Sequence, residues 1–290
     1  MRVLGALLSL VLLSIRATPQ RTDLDRVLAR ASNYVVEYGQ ALASVLAEES
    51  YSQRLVWRSS REPFETRLLK SEIAFVRVPD TTDWLSFRNV LAVDDVPILD
   101  APGRLERIFQ ESPDAHVSRS RLASESARFN LGPVTREINV PTMSLHFVHP
   151  TFLASTRFDK IREEEFAGEQ TWVIRFRERD RGSLISRIDG RKLPAQGLLW
   201  IVPADGRIVR SHLEVEGFVR ERGGSKATID VQWRRDAALD LWVPAELTEL
   251  YEGPWRMGTK LGALERYDID GIATYSNYRR FTVDVRIRVP

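Results

Sequence analysis

Apolar and polar residues alternate over long stretches of the C-terminal half of the chain. In residues 281–289 every second residue is apolar, and the residues between are threonine, aspartate or arginine. Because successive side chains of a β-strand point to opposite faces, this spacing predicts a strand with one apolar and one polar face. Residues 171–180, 197–217 and 225–236 show the same alternation, and Ala204–Gly206 has the composition of a hairpin turn. The pattern predicts an antiparallel sheet.

A helical period precedes these strands. Residues 22–49 place apolar side chains at the spacing i, i+3, i+4 and i+7, which predicts one amphipathic helix about 40 Å long. The residues on its apolar stripe are Leu24, Val27, Leu28, Ala31, Val35, Tyr38, Leu42, Val45 and Leu46. A helix of this length with one apolar face needs a broad partner surface.

Three strands and a helical insert are predicted between this helix and the C-terminal strands. Residues 51–58, 67–80 and 84–99 are rich in β-branched and aromatic residues, with Asp94-Asp95 as a turn in the third. Residues 102–153 break the pattern and predict helices, the last of which begins at Pro141 and ends before Pro150.

This order of elements predicts an α+β fold. We expect a large curved antiparallel sheet, shaped as a half-open β-barrel, with the long N-terminal helix and the helical insert covering one face. The chain contains no obvious linker, so residues 21–290 are interpreted as a single domain with its insert at about 102–153.

The first residues have the features of an export signal. Residues 1–20 contain an early Arg2, an apolar run that is too short to cross a bilayer, and small residues around Ala17. We therefore interpret residues 1–20 as a signal peptide and expect export to the periplasm or the extracellular space, with no transmembrane anchor after cleavage. The chain has no Cys, so disulfides are excluded as a source of stability.

Charge excludes one class of partner. The net charge is +2, and removal of Arg2 and Arg16 with the signal peptide leaves the remaining chain near neutral. A neutral chain with interspersed charges lacks the basic surface that nucleic-acid binding requires, so we expect no nucleic-acid partner.

Three segments carry a family resemblance. In residues 197–215, "GLLWIVPADGRIVRSHLEV", an apolar strand with Trp-x-x-Pro runs through a turn into Ile-Val-Arg, and "LWVPAELTELY" and "GIATYSNYRRFTV" continue the pattern. The chain resembles the LolA/LppX-like family of bacterial lipoprotein and lipid carriers. The resemblance implies a half-open antiparallel barrel with helices as a lid over an apolar cavity, and it carries no catalytic motif. The chain is longer than the simple carriers, mostly in residues 102–153.

An apolar cavity would be lined by inward-facing side chains of the C-terminal strands. Ligand sites are concave and mostly apolar, and five of the seven Trp residues lie in this part of the chain. The predicted lining residues are Trp172, Ile174, Trp200, Val202, Leu213, Val215, Trp233, Val283 and Val285. The alternative for each of them is ordinary core packing, because aromatic residues dominate protein cores.

Metal and catalytic sites have weaker support. His146 and His149 have a spacing that could hold a metal, but the pair is interpreted as two histidines near a helix end. Residues 268–271 contain part of a calcium-loop pattern without its distal Glu, and we interpret them as a hairpin turn. No nucleophile elbow, H-E-x-x-H, P-loop or dinucleotide-binding motif occurs. We therefore expect no metal, no cofactor and no enzymatic activity, whereas an enzyme would show clustered ionisable groups in a cleft.

The functional hypothesis is an exported, non-catalytic carrier that binds a lipid, lipoprotein acyl chains or another apolar ligand in the cell envelope. The sheet would form the cavity and the helices would close it. The alternative is an envelope protein-interaction module without a small-molecule ligand, which would bind its partner along an exposed sheet edge or through the serine-rich insert.

Overall fold

The computed structural model describes residues 19–77, 84–101, 103–105, 126–134, 136, 138–179, 183–187, 189–218, 224–258 and 262–280. Three sequence predictions fall wholly or mostly outside these residues: the signal peptide, the helices predicted over residues 106–125 of the insert, and the strand from Phe281 onward. They stay predictions, as does the treatment of residues 21–290 as one domain.

The described residues form one long helix, a large set of strands and two short helical segments. Helix α1 spans Pro19–Leu42, a 3-10 helix spans Met143–Val148, and α2 spans Pro150–Leu153. The strands are β1 (Val45–Trp57), β2 (Pro63–Arg77), β3 (Trp84–Val93), β4 (Val96–Pro97), β5 (Thr156–Phe166), β6 (Glu169–Glu178), β7 (Ala195–Ile201), β8 (Ile208–Glu216), β9 (Lys226–Asp236), β10 (Leu241–Glu252), β11 (Arg256–Gly258) and β12 (Leu264–Arg280).

All the strands belong to one antiparallel sheet. Their order is β4-β3-β2-β1-β12-β10-β9-β8-β7-β6-β5, and β11 pairs with β12. Neighbours in the sheet are mostly neighbours in sequence, as expected for strands joined by short turns. β12 joins the N-terminal strands to the C-terminal ones, because it pairs with both β1 and β10. The two ends of the order, β4 and β5, are unpaired with each other in the described residues, so the sheet is open. The fold is α+β, as predicted.

Helix α1 ends earlier than its sequence pattern predicts. The helix stops at Leu42, and Ser44 has a φ of 67°, a left-handed conformation that an α-helix cannot contain. Val45 and Leu46, which fit the helical stripe, are the first residues of β1 and pair with both β2 and β12. Apolar residues at this junction satisfy both periods, and pairing on two sides decides in favour of the strand.

The predicted helix from Pro141 to Pro150 is also different. Its central residues form the 3-10 helix Met143–Val148. Pro150, which was expected to follow the end of the helix, is the first residue of α2. Proline has no N–H to donate and a φ that suits the first turn, so it is compatible with a helix start. The Asp94-Asp95 turn is confirmed, and both residues have positive φ.

The helical segments pack on one side of the sheet. The main apolar core contains the α1 residues Val27, Ala31 and Val35, the 3-10 helix residue Phe147, and sheet residues such as Ile174. We call the sheet face that carries Ile174, Leu213 and Val231 the covered face. The opposite face, which carries Arg175, His212 and Asp230, is called the outer face. Within the described ranges, none of the helices combines the length and the apolar character needed to span a membrane.

Candidate functional site

The covered face brings together five of the predicted lining residues. Trp172, Ile174, Leu213, Val215 and Trp233 all belong to, or pack against, the core cluster that contains α1 and the 3-10 helix. Ile174, Leu213, Val215 and Trp233 are at most 3 % exposed, so in this closed state they contact other side chains of the same protein. Their role in binding a ligand stays a prediction.

Two further predicted residues lie elsewhere. Trp200 and Val202 form a separate cluster with Val173 and Val209, and Trp200 pairs in register with Val173 instead of Ile174. Since Val173 and Ile174 point to opposite faces, Trp200 lies on the outer face. The remaining two predicted lining residues, Val283 and Val285, are outside the described residues.

The covered face is closed by α1 and by a second segment, residues 129–153, which we call the cover; residues 135 and 137 within it are not described. Phe147 of the cover stacks on Phe176 of β6 with ring centroids 4.6 Å apart, and neither ring is exposed. Leu145 and Val148 are buried beside them. Aromatic and aliphatic side chains of the cover therefore fill the space against the strands.

A tryptophan joins α1, the cover and the sheet. Trp84 of β3 stacks on His146 at a centroid distance of 4.7 Å and donates from Nε1 to Thr142 Oγ1 at 3.2 Å. Gly39 of α1 also lies against this indole, and an added Cβ there would be 2.3 Å from Trp84 Cε3. The absence of a side chain at Gly39 lets α1 lie directly against the indole.

The candidate metal residues have other surroundings. His146 and His149 lie around Trp84, with His149 fully buried and its Nδ1 within 3.1 Å of Thr151 Oγ1. In the part of the chain that the structure describes, no group of three or more His, Asp or Glu side chains is arranged to hold a metal ion. Residues 268–271 lie within β12, so their interpretation as a hairpin turn is wrong.

The cover is attached to the sheet through side chains. The backbone N–H groups of its two short helical segments donate to carbonyls three or four residues earlier in the same segment, for example Leu145 N to Thr142 O and Leu153 N to His149 O. The strands beneath are paired with each other through their own backbone ladders. The described residues of the cover therefore form no strand of the sheet, and the strands do not depend on them for backbone pairing.

Charged and polar side chains lie at the centre of this otherwise apolar interface. Arg136 of the cover donates from Nη1 to Gln53 Oε1 at 2.7 Å and to Glu249 Oε1 at 3.2 Å. The Tyr51 hydroxyl lies between them, donating to Glu249 and accepting from Arg136. Gln53 also accepts from Leu131 N at 2.8 Å. The side chains of Arg136 and Glu249 are both fully buried.

A second ion pair extends this group of residues. Arg88 of β3 donates to both carboxylate oxygens of Glu49, at 2.7 and 2.8 Å, which is the bidentate geometry of a strong charge-assisted pair. Arg88 also donates to the Oδ1 and the backbone carbonyl of Asn139 in the cover, at 3.1 and 3.2 Å. We call Glu49, Tyr51, Gln53, Arg88, Arg136, Asn139 and Glu249 the buried polar cluster. It links the cover to three strands, β1, β3 and β10.

The environment of the cluster keeps its two arginines charged and the Tyr51 phenol neutral. Burial, followed by the negative charge of Glu249, raises the pKa of the Tyr51 phenol well above its ordinary value. Burial alone would lower the pKa of Arg88, but the Glu49 carboxylate more than offsets this and the pKa is raised. Burial opposes the charge of Arg136 too, and the neighbouring Tyr51 and Glu249 raise its pKa. The cluster thus contains two ion pairs, Arg88–Glu49 and Arg136–Glu249, and the neutral phenol of Tyr51 is bonded to both members of the second pair.

Ionisable groups are therefore clustered, as expected of an enzyme, but they do not line a cleft. The carboxylates of Glu49 and Glu249 have no exposed area and each is bound to an arginine. In this state neither can reach a substrate in solvent. What the arrangement can do is hold the cover over an apolar surface by contacts that water could replace if the cover moved.

The cluster was missed in the sequence analysis, although the chain contains its signature. In β1, alternation places Glu49, Tyr51 and Gln53 on the same face as the apolar Val45 and Leu55. Polar residues at apolar positions of a strand indicate a buried polar contact, since an unpaired polar group is costly there.

Comparison with solved structures finds likenesses over most of the chain. A DUF1329 family protein from Desulfovibrio piger shares 11 % identity, with 90 % of this chain and 95 % of that chain covered and a TM-score of 0.38. A putative outer membrane lipoprotein-sorting protein domain from Vibrio parahaemolyticus shares 12 %, with 90 % and 95 % covered and a TM-score of 0.39. A LolA superfamily protein from Nitrosomonas europaea shares 10 %, with 89 % and 97 % covered and a TM-score of 0.32.

The LolA family that the sequence resembles is thus also named among the matched structures. At these identities and TM-scores the likenesses assign neither a ligand nor a site to this chain. No protein-family model matches the chain, and the search of curated proteins likewise finds no match.

Proposed function

We propose that this chain is an exported, non-catalytic binding protein that carries a lipid or another apolar ligand in the cell envelope. The ligand's apolar chain would occupy the covered face after the cover moves aside. One observation carries the proposal: a broad apolar sheet face is closed by a segment whose described residues form no backbone-to-backbone hydrogen bond with a strand. Such a segment can move while every strand keeps its partners.

The energetics of opening favour a ligand that is itself apolar. Moving the cover would expose side chains such as Ile174 and Phe176, at a cost of about 25 cal/mol for each Å² of apolar surface. An acyl chain that lies on the same surface removes it from water again and offsets that cost. Opening and ligand binding are therefore coupled, and the closed state is the expected ligand-free form.

The alternative, an interaction module that adds a partner strand at a sheet edge, has less support. The edge strand β5 carries Lys160, Arg162 and the acidic residues Glu163–Glu165. Charged side chains on an edge strand oppose the addition of another strand. The strand at the opposite end of the order, β4, spans only Val96–Pro97.

Native mass spectrometry of the protein purified from its own envelope tests the proposal, followed by solvent extraction and lipid analysis. We expect co-purified lipid at near-unit stoichiometry. A ligand-free mass that persists after incubation with phospholipids and fatty acids would contradict it. A stoichiometric protein partner on a ligand-free chain would favour the alternative.

A matched pair of variants tests the covered face directly. Phe147→Ala removes a ring that fills this face, so it should strengthen binding of a fluorescent fatty acid, although the lost packing costs about 3–5 kcal/mol of stability. Phe166→Ala removes the same ring from the outer face, where Phe166 packs against Trp200 and its neighbours. It should leave fatty-acid binding unchanged. Phe147→Leu is a milder variant that can be used if Phe147→Ala does not fold. Equal fatty-acid binding by the Phe147 and Phe166 variants would contradict the proposal.

A further inference from the structure

Three arginines converge on the outer face where β5 and β6 begin and end. Arg157 of β5 lies directly opposite Arg177 of β6 in the antiparallel register, and Arg179 follows two residues later on the same side. All three side chains are exposed. Together with Glu178 they line a surface pocket of about 260 Å³.

Among the described residues these three arginines have no acidic partner, unlike other arginines in or next to the sheet. Arg54, Arg58 and Arg210 each form an ion pair with an aspartate of a neighbouring strand. In the described structure, the side-chain contact found for the three arginines is one hydrogen bond, from Arg177 Nε to Gln196 Oε1 at 3.3 Å.

The one acidic residue of the pocket is already occupied. Glu178 is buried, and its carboxylate accepts hydrogen bonds from Leu184 N at 2.7 Å, Ala195 N at 2.8 Å and Ser183 Oγ at 3.0 Å. These donors belong to the loop after β6 and the start of β7, so the carboxylate is bound there and makes no ion pair with the three arginines. Among the described residues the pocket therefore carries three positive charges against this one carboxylate, which pairs with none of them.

A bound anion would stabilise this arrangement. Like charges directly opposite each other on neighbouring strands destabilise the pairing, and a shared anion would remove that repulsion. Guanidinium groups bind phosphate through paired, parallel hydrogen bonds, which makes several arginines around one pocket suited to a phosphoryl group. A volume of about 260 Å³ is slightly below the range for whole drug-sized ligands, and it fits a small anion or a headgroup.

We propose that Arg157, Arg177 and Arg179 form a binding site for a phosphoryl anion, either free phosphate or the headgroup of an anionic phospholipid. The site is on the outer face and does not depend on whether the covered face carries a ligand. It lies beside the end of the cover: α2 ends at Leu153, and Arg179 N donates to Ser155 O at 2.9 Å.

The test compares two probes and two matched variants. Inorganic phosphate is titrated by calorimetry, and vesicles of phosphatidylglycerol or phosphatidylcholine are tested by co-sedimentation. The double variant Arg177→Gln/Arg179→Gln removes two of the three charges from exposed positions, where substitutions leave stability nearly unchanged. Arg256→Gln removes an exposed arginine from β11, which pairs with β12 in another part of the sheet.

We expect the double variant to lose at least about tenfold in affinity for one or both anionic probes, and Arg256→Gln to bind as the parent does. Arg177→Lys, which keeps the charge but loses the planar fork, should fall between them. Loss with phosphate alone would assign the site to a free anion, and loss with phosphatidylglycerol vesicles would assign it to a headgroup. No saturable binding of either probe, or equal losses in the double variant and Arg256→Gln, would overturn the proposal.

Discussion

The two faces of the same sheet hold their charged residues in opposite ways. On the covered face, the side chains of Arg136 and Glu249 have no exposed area at all. On the outer face of the same region, the side chain of Arg54 is 42 % exposed and that of its partner Asp270 is 17 % exposed. Both pairs involve the central strands of the sheet, yet only the first joins the sheet to a separate segment.

This difference in burial indicates which charged residues control whether the cover is closed. In an exposed ion pair, each charged group gives up hydrogen bonds to water for an attraction to its partner that is of similar strength. The net effect of such a pair on stability is therefore small. Water does not reach a buried pair. Removal of one partner therefore leaves the other charge buried and uncompensated in an apolar interface. We therefore expect substitutions on the covered face to affect closure of the cover, and equivalent substitutions on the outer face to have local effects.

The largest expected effect follows from removing one member of the buried pair. Arg136→Leu leaves Glu249 unpaired beneath the cover, which should lower the free energy of unfolding by about 3–5 kcal/mol. Arg54→Leu removes the same side chain from the outer face and should cost about 0–1 kcal/mol. Urea denaturation of both variants measures the difference.

The double variant Arg136→Leu/Glu249→Leu sharpens this test. Without either charge, no group is stranded, so the double variant should recover much of the stability that Arg136→Leu loses. If Arg136→Leu were as mild as Arg54→Leu, the buried polar cluster would not hold the cover closed.

A smaller effect is expected where a turn meets α1. Gly206, in the β7–β8 turn, has a φ of 81°, and a Cβ there would be 2.3 Å from the backbone carbon of Arg30. Gly168, in the β5–β6 turn, has a φ of 78° and no atom within 4 Å of such a Cβ. Alanine at either position meets the left-handed backbone, at about 1–2 kcal/mol, but only at Gly206 does it also push against the helix.

Gly206→Ala should therefore cost about 1–3 kcal/mol more than Gly168→Ala, because a close-packed contact must move. Thermal unfolding of the two variants at one pH measures this. Equal losses would mean that α1 adjusts freely above the turn, and that closure on the covered side is looser than the packing indicates.

The sequence predicted the sheet better than it predicted its faces. Strict alternation identifies Trp172 and Ile174 as members of strands with one apolar face, and the Asp94-Asp95 turn follows from local chemistry. It does not identify the face of Trp200, because Trp200 has apolar neighbours on both sides in "LLWIV" and alternation is lost there. Only the pairing with Val173 settles its position.

The cover and the buried polar cluster depend on contacts between distant parts of the chain. Arg136 lies 113 positions from Glu249, and the bond between them is invisible to any local pattern. Likewise, Val45 fits the apolar stripe of the helix, but its pairing with β2 and β12 makes it the first residue of β1. Local periodicity predicts which elements form, whereas long-range pairing decides where an element ends and which charges become buried.

The smallest expected effect lies on the outer face and depends on pH. His212 on β8 has its Nδ1 3.0 Å from Asp230 and its Nε2 3.2 Å from Glu214, with Arg210 and Lys226 bonded to the same two carboxylates. The hydrogen bond to Asp230, with further help from the charges of Asp230 and Glu214, raises the pKa of His212 above its ordinary value of 6.5.

The protonated ring is therefore favoured in the folded state, so its stabilisation is full below pH 6.5 and is lost as the pH rises through the raised folded-state pKa. The stability advantage of the parent chain over His212→Gln should shrink across that window, measured by urea midpoints at successive pH values. An advantage that stayed constant, or grew with pH, would show that the ring is not held protonated and that this outer-face network does not contribute through its charge.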